Sequence, residues 1–498
     1  MLHNVYFHNL SEALQVFTQT YGREYRPMVR FSLWVNSLMG STALPFKLTN
    51  LALHLGCCLM IFYLLKRLGS KYLPALLATA LFALHPIHIT SIHFVLGRTD
   101  LMAAFFYLTT LVLVVNWPER PRLHHHLITL FAFSLALLSK ELAVTLPAAM
   151  GLILLAHGGK LSKALVRQLA QKLWVYAAFV LVFVGVRIYL WEKNPDAIAV
   201  YTQFSLSHIL SNYGQWLFAL VYPGDLYQAQ DLLAKHPLVF VFIATLAIMA
   251  IGTGLFYLLW PYRHRLIKAP LIWLALLWFP LTLLPMAGGN PHRWYLYLPS
   301  MALSFALAGI WPLVRENGRR LFAVGVGLFL ILCTWETLRE SHDWKRQDEI
   351  NRQILSQLHA LHLAPNSKVY FINIPFGYKG TFLFSFSSLA EAMAVTYGET
   401  LQLIPLSYIN LDQENRINIR REPEMLEFDM IPTAYRYFML SASERRFNQP
   451  AIIERDGFTL QIVQLAGSGK IQRYRIIRKT EIQAPVYYFD GSEIKVWN

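Results

Sequence analysis

The chain has 498 residues, of which 55% are hydrophobic and only 15% are charged, and its formal net charge is +15. A soluble protein carries about 25% charged residues, so this composition argues against a soluble globular protein and indicates an integral membrane protein. The basic residues gather in loops between apolar segments, so we predict membrane lipids rather than nucleic acid as their partners. Cys57, Cys58 and Cys333 lie in apolar stretches, which argues against a disulfide framework.

Apolar segments recur in chain order, and a transmembrane helix needs about 17–25 of such residues. We predict spans at 46–65, 72–90, 99–116, 126–139, 142–157, 172–191, 237–260, 270–286, 296–313 and 321–337. The segment 207–222 is interpreted as re-entrant or surface-lying, and 25–40 as an interfacial helix because it contains Arg26 and Arg30. The pattern predicts an α-helical polytopic membrane protein of about 10–11 helical segments.

Lysine and arginine cluster in loops that the positive-inside rule places in the cytoplasm. These loops are residues 66–71, 120–122, 160–172, 263–268 and 315–320. The spans between these loops return the chain to the cytoplasmic side each time only if 207–222 does not cross the membrane as a full span. The N-terminal region, the intervening loops and everything after about 338 are then extracytoplasmic. Nearly all polar residues that could bind a ligand or take part in catalysis fall on this outer side, so we predict that the active site lies there.

The chain changes character after the last predicted span, which divides it into a transmembrane domain, 1–338, and a soluble extracytoplasmic domain, 339–498. Residues 346–362 have the apolar spacing of an amphipathic helix. The runs 368–374, 459–464 and 473–477 have the composition of strands. The second domain is therefore predicted to be mixed α/β and rich in β-structure.

Four polar motifs fall on the predicted outer side, where ionisable residues are costly to desolvate and are functional candidates. They are Tyr25-Arg26-Pro27; His85-Pro86-Ile87-His88 followed by Gly97-Arg98-Thr99-Asp100; Ser139-Lys140-Glu141; and His292-Arg293-Trp294-Tyr295. Arg98, Lys140 and Arg293 can converge on one anion, and a polyprenyl-phosphate headgroup is the anion that a membrane offers at this depth. Asp100, Glu141 or an N-terminal carboxylate such as Glu24 can take a proton from an acceptor hydroxyl.

The same residues also allow structural interpretations. Arg98 and Asp100 can pair or cap a helix, Lys140 and Glu141 can separate two helices, and Tyr295 can anchor the chain at the interface. The spacing of His85, His88 and His93 allows a metal site. No carboxylate partner lies on that segment, so we predict no metal.

In this order, the motifs resemble the transmembrane O-mannosyltransferases with tetratricopeptide repeats and their bacterial relatives, in the C-type (GT-C) glycosyltransferase superfamily. The resemblance covers residues 20–338 and includes the apolar helix around 48–54 and the run 293–300. It implies a multi-helix inverting enzyme with its active site on the outer face. It also implies a polyprenyl-phosphate monosaccharide donor, with mannose favoured, and no cofactor.

The resemblance also implies roles for individual residues. Arg98 and Asp100 would line the active site, and Lys140, Glu141 and Arg293 would face the donor phosphate. We assign Arg26 to the same phosphate site, and we expect His85, His88, His292 and Tyr295 to line the substrate site. The acceptor would be a protein, a lipid or a glycan, and a bacterial cytoplasmic membrane is the favoured location.

Two features depart from the family pattern. Members begin with a transmembrane helix and an acidic outer loop, whereas Glu12 and Glu24 are the only carboxylates here before Asp100. We therefore expect that the first helix and the acidic loop are missing from the start of this chain. No tetratricopeptide repeats follow the membrane part, and His292 and Trp294 replace the usual Glu and Tyr beside Arg293. A transporter or flippase of lipid-linked substrates, or a catalytically inactive membrane scaffold, is the alternative function.

Overall fold

The computed structural model of the chain describes residues 10–18, 25–40, 42–158, 163–192, 205–224, 260, 263–266, 269–289, 291–378, 381–384, 388–411, 417–430, 438–439, 449–455, 457–465, 471–479, 482 and 484–497. The chain divides into two compact units, Phe7–Glu340 and Ser341–Asn498. All of the predicted span 237–260 except its last residue lies outside the described residues.

Long apolar helices build the first unit and confirm the predicted polytopic membrane architecture. Among the described residues, six helices are long and apolar enough to cross a membrane, or seven when the bent pair Tyr72–Leu84 and Pro86–His93 counts as one span. Large apolar side chains remain exposed on the outside of these helices; Leu59, for example, is 72% exposed. Such a surface is stable in lipid and not in water, so the chain is an integral membrane protein. The longer helices are Pro27–Ser37, Ala43–Arg67, Tyr72–Leu84, Arg98–Val115, Leu123–Leu137, Leu146–Gly158, Lys163–Glu192, Leu206–Val221, Pro270–Leu283, Met301–Ile310 and Glu316–His359.

Helix Arg98–Val115 lies at the centre of this unit, packed against Ala43–Arg67, Leu123–Leu137 and Leu146–Gly158. Its N-terminus follows a short turn at Val95–Gly97, where the backbone of Ser91 leaves no room for a side chain at Gly97. The motif residues Arg98 and Asp100 therefore occupy the first turn of a central helix.

Breaks between helices position the other motifs. Pro86 cannot continue the helix Tyr72–Leu84, and the chain bends by 45° at this point. Lys140 is extended, with φ −160° and ψ 142°, between the helix Leu123–Leu137 and the 3-10 turn Glu141–Thr145. Since apolar helices alternate with these polar breaks, ionisable residues that are distant in sequence collect at helix ends.

The predicted span 321–337 and the predicted amphipathic helix 346–362 form one continuous helix, Glu316–His359. The prediction of two separate elements was therefore wrong. Its polar half contains ion pairs at helical spacing, such as Arg346–Glu349 at 2.9 Å and Arg352–Asp348 at 2.6 Å, and no proline interrupts it. The helix ends shortly before His362, whose φ is +49°.

In the described part of the unit Ser341–Asn498, three sheets pack with the end of the helix Glu316–His359 and a short helix, Ser388–Tyr397, and they confirm its mixed, β-rich character. The strands are β1 Lys368–Ile372, β2 Ile374–Tyr378, β3 Thr381–Phe382, β4 Gln402–Pro405, β5 Tyr408–Leu411, β6 Ile417–Glu422, β7 Met425–Met430, β8 Phe438–Met439, β9 Ile452–Arg455, β10 Phe458–Leu465, β11 Ile471–Arg478, β12 Val486–Phe489 and β13 Ile494–Trp497. The sheet orders are β13-β12-β1-β4, β6-β7-β11-β10-β9 and β3-β2-β5-β8. β1 pairs in parallel with both β4 and β12, whereas the second sheet is antiparallel.

Candidate active site

The Tyr25-Arg26-Pro27 segment is joined to the break at 139–141. The Arg26 guanidinium holds both oxygens of Glu141, with Nη2 2.8 Å from Oε1 and Nε 3.3 Å from Oε2. The backbone N–H of Met28 donates to the carbonyl of Leu138 at 3.2 Å. A two-bond fork of this kind fixes the relative orientation of its partners as well as attracting them. The two motifs, 115 positions apart in the chain, therefore form one structure.

A second cation, Arg187, supports this junction. The Arg187 Nη1 donates to the carbonyl of Tyr25 at 3.2 Å, and the Arg187 side chain is buried. Sequence reasoning did not single out this residue. Its signal was present, because Arg187 is the single charge in the apolar stretch 173–191 and is a functional candidate by that position.

Lys140 and Asp100 form a buried ion pair, with Nζ 2.5 Å from Oδ1 and exposed fractions of only 2% and 6%. The Lys140 Nζ also lies 4.6 Å from the centre of the Tyr295 ring, within the range of a cation–π interaction. Removing two charges from water is costly, so each needs the other in place. Three predicted site residues from three separate motifs thus come together.

Arg98 lies beside this pair in sequence but makes different contacts. Its side chain is fully buried, with Nε 2.6 Å from the Asn50 Oδ1, Nη1 2.7 Å from the Ser32 Oγ and Nη2 2.8 Å from the carbonyl of Phe46. The carboxylate partner of Lys140 is Asp100, so the alternative in which Arg98 pairs with Asp100 is wrong. Phosphate binding by Arg98 stays a prediction, and it would require Arg98 to exchange these protein acceptors for phosphate oxygens.

Arg293 pairs with Glu340, with Nη1 2.7 Å from Oε1. Within the described residues, the buried Nε of Arg293 has no hydrogen-bond partner. The guanidinium therefore keeps a donor that a ligand oxygen can use. Glu340 was missed from the sequence because it follows the last predicted span and was assigned to the outer domain.

The motif histidines are buried. The His85 Nε2 lies 3.0 Å from the carbonyl of Leu220, and its Nδ1 accepts from the backbone N–H of Ile87. The His88 Nε2 lies 3.3 Å from the Ser300 Oγ, while its Nδ1 has no partner within the described residues. No three His, Cys, Asp or Glu residues in the described part of the chain group as metal ligands. The substrate-lining roles of both histidines stay predictions.

His292 lies at the edge of the same region. Its ring stacks on Trp294 with centroids 4.2 Å apart, and its carbonyl accepts from the Trp216 Nε1 at 3.3 Å. Burial, and then the nearby charge of Lys140, lower the pKa of His292 to about 4. The imidazole is therefore neutral at pH 7 and can accept a proton or a hydrogen bond.

The two ion pairs form one cluster, because Lys140 of one pair and Glu141 of the other are consecutive residues. This cluster, defined as Arg26, Asp100, Lys140, Glu141 and Tyr295, is called the carboxylate–cation cluster below. It holds two carboxylates that can accept a proton and two cations that can stabilise an anion. Glu24, the third carboxylate candidate, lies outside the described residues.

Part of this cluster lies in a range of the chain that is similar to a known protein family. Residues 32–201 match the family described as dolichyl-phosphate-mannose-protein mannosyltransferase. The matched range contains Asp100, Lys140 and Glu141, whereas Arg26 and Arg293 lie outside it.

Curated relatives carry similar names. A protein O-mannosyl-transferase of Caenorhabditis elegans is 31% identical over 140 residues, which is 27% of this chain and 20% of that protein. The protein O-mannosyl-transferases Tmtc2 and Tmtc1 of Drosophila melanogaster are 35% identical over 129 residues and 30% identical over 122 residues. Each of those two matches covers 24% of this chain and 14% of the relative. The chain thus spans a fifth or less of the length of these relatives, and no solved structure is significantly similar to it.

Proposed function

We propose that this chain, a relative of the O-mannosyltransferases, is a glycosyltransferase that moves a hexose, with mannose favoured, from a polyprenyl-phosphate carrier to an acceptor outside the cytoplasm. One observation carries the proposal: Asp100, Lys140 and Glu141 fall within the range matched to mannosyltransferases and lie in one cluster of charges, in which Asp100 and Lys140 are buried and Glu141 is partly buried. Buried charges at the ends of membrane helices are expensive to maintain, and such residues usually serve binding or catalysis. The acceptor is a hydroxyl of a protein, a lipid or a glycan.

In the proposed reaction Asp100 is the general base. It takes the proton of the acceptor hydroxyl while that oxygen bonds to the anomeric carbon on the face opposite the phosphate. The bond between the anomeric carbon and the phosphate oxygen breaks, and its electron pair stays on the phosphate. Attack from the opposite face inverts the configuration at the anomeric carbon.

Lys140 connects the proton transfer to Asp100 with the departure of the phosphate. In the resting structure its charge is held by Asp100 at 2.5 Å. Once Asp100 carries the proton it is neutral, so Lys140 can turn to the phosphate as the negative charge of that group grows. An interaction that strengthens on the way to the transition state lowers the barrier rather than only tightening binding.

The other cations complete the proposed phosphate site. Arg293 has an unpartnered Nε within the described residues and can donate it to a phosphate oxygen. Glu141 orients the guanidinium of Arg26, and Arg98 positions the start of the central helix through Asn50 and Ser32. In this proposal His292 and Tyr295 line the substrate site; the centre of the Tyr295 ring lies 4.6 Å from the Lys140 Nζ and 5.5 Å from the centre of the His292 ring.

The test uses the purified full chain in lipid nanodiscs with radiolabelled polyprenyl-phosphate mannose and, separately, polyprenyl-phosphate glucose. We expect sugar to leave the mannosyl carrier, and Asp100→Asn to slow its release by about 10²–10⁴-fold, the usual contribution of a general base. Arg293→Ala should slow release as well. Glu316→Gln serves as the matched control, because Glu316 is 90% exposed and its contact with Arg319 is 3.8 Å long.

Equal release by the wild type and the Asp100→Asn variant would contradict the assigned base. No release from either donor by the wild type would contradict the transferase and would favour a transporter or an inactive scaffold. Glu24→Gln, assayed in parallel, shows whether this carboxylate, which lies outside the described residues, takes the proton instead of Asp100.

A further inference from the structure

A cavity of about 610 Å³ lies within the unit Ser341–Asn498 and shares no residue with the carboxylate–cation cluster. One face of the helix Glu316–His359 forms its first wall, through His342, Arg346, Glu349 and Gln353. The opposite side is formed by Tyr378, Leu411 and the turn that follows Phe489. This volume falls in the range of about 300–1,000 Å³ that small-molecule sites occupy.

Polar and apolar groups are segregated in this cavity. The four helix residues at its rim are exposed and polar, whereas Tyr378, Leu411 and Phe489 on the opposite side are nearly fully buried. A purely apolar ligand would cover the polar rim without satisfying it, which is unfavourable. The cavity therefore suits a ligand with an apolar face and hydrogen-bonding edges.

The rim has almost no net charge. Arg346 and Glu349 form an ion pair with Nη1 2.9 Å from Oε2, and Gln353 is neutral. An anion would meet Glu349 and a cation would meet Arg346, so neither is favoured. The pair still offers guanidinium donors and carboxylate acceptors next to one another, which together satisfy hydroxyl groups in both of their roles.

The turn at the rim is fixed before any ligand arrives. The Asp490 Oδ1 accepts from the backbone N–H groups of Ser492 and Glu493, at 2.9 and 2.8 Å. Gln357 joins this turn to the helix, because its Oε1 accepts from the N–H of Ile494 at 2.9 Å and its Nε2 donates to the carbonyl of Ser492. A preformed site does not spend binding free energy on ordering its own loops.

We propose that this cavity binds a neutral oligosaccharide of about two or three sugar units, the size of ligand that fills most of such a pocket. A pyranose ring presents apolar C–H groups on its faces and hydroxyl groups at its edge. Its faces match the aromatic and aliphatic side of the cavity, and its hydroxyl groups match Arg346, Glu349 and Gln353. The proposal concerns a site separate from the transferase centre and does not depend on that activity.

The experiment measures binding of α-linked mannotriose and of cellotriose to the full chain in lipid nanodiscs, by calorimetry or saturation-transfer NMR. Nanodiscs are needed because maltoside detergents would compete for a sugar site. We expect saturable binding of at least one trisaccharide with a Kd on the order of 1 mM or tighter. Glu349→Gln and Gln353→Ala should each weaken binding by about tenfold, the effect of one lost hydrogen bond to a ligand.

Asp348→Asn is the matched control. Asp348 is an exposed acid on the same helix and pairs with Arg352 at 2.6 Å, but it does not line the cavity, so its replacement should leave binding unchanged. Asp100→Asn should also bind as the wild type does, which separates this site from the transferase centre. The proposal is overturned if neither trisaccharide binds, if both cavity variants bind as the wild type does, if Asp100→Asn abolishes binding, or if inorganic pyrophosphate binds in place of the sugars.

Discussion

Replacing Lys140 with methionine removes the cation from the buried ion pair while keeping most of the volume of the side chain. The Asp100 carboxylate, only 6% exposed, then loses its partner at 2.5 Å. Breaking a buried pair in this way costs about 3–5 kcal/mol, because the remaining charge cannot return to water. We therefore expect Lys140→Met to lower the free energy of unfolding by that amount.

The structure also predicts a rescue. In the double variant Lys140→Met with Asp100→Leu neither charge remains, so the desolvation penalty disappears together with the attraction. Replacing a buried pair by apolar residues is often neutral, or stabilising by about 1–4 kcal/mol. The double variant should therefore be more stable than Lys140→Met alone, although it should be inactive in sugar transfer.

The assay is equilibrium unfolding of the purified chain in mixed micelles, followed by tryptophan fluorescence and arranged as a double-mutant cycle. Lys172→Met is the control, because the Lys172 Nζ makes an exposed contact with the carbonyl of Glu119 and its loss should cost less than about 0.5 kcal/mol. The reasoning is refuted if Lys140→Met is as stable as the Lys172 control. It is also refuted if the double variant loses as much stability as the sum of its two single substitutions.

Three further predictions concern stability. Asn50→Ala removes the acceptor of the fully buried Arg98 Nε, so it should destabilise the chain by about 2–3 kcal/mol in the same unfolding assay. Burial, and then the charge of Lys140, lower the pKa of His292 from its ordinary value of 6.5 to about 4. As the pH falls, the unfolded chain therefore takes up a proton at His292 before the folded chain does. On the order of 3 kcal/mol of stability that is present above pH 6.5 should be lost between pH 6.5 and about 4. His292→Gln should remove that part of the pH dependence, and an unchanged pH profile would contradict the assignment. Gly491→Ala places a side chain at φ +108° and should lower stability by about 1–3 kcal/mol, measured by thermal unfolding of the full chain.

Hydropathy predicted most of the transmembrane helices, because crossing a bilayer requires a continuous run of apolar residues, which is visible in the sequence. The prediction 46–65 became the helix Ala43–Arg67, and 172–191 lies within Lys163–Glu192. The β-like composition of residues 459–464 predicted the strand Phe458–Leu465 equally well, because strand-favouring residues bounded by turn residues are a local signal. The prediction of two elements within Glu316–His359 failed because a change from apolar to polar composition does not end a helix when no proline or capping signal accompanies it.

The sequence by itself indicated most of the charged residues of the candidate site, because charges interrupt apolar segments visibly, but it did not indicate Arg187 or Glu340. It did not determine which charge pairs with which. Lys140 holds Asp100 rather than its neighbour Glu141, and Glu141 is held instead by Arg26 from 115 positions away. Ion pairs depend on distances of a few ångströms between side chains. The distances between these side chains are set by how the central helix Arg98–Val115 packs against the breaks between the other helices. The same packing therefore decides which carboxylate is available as a base.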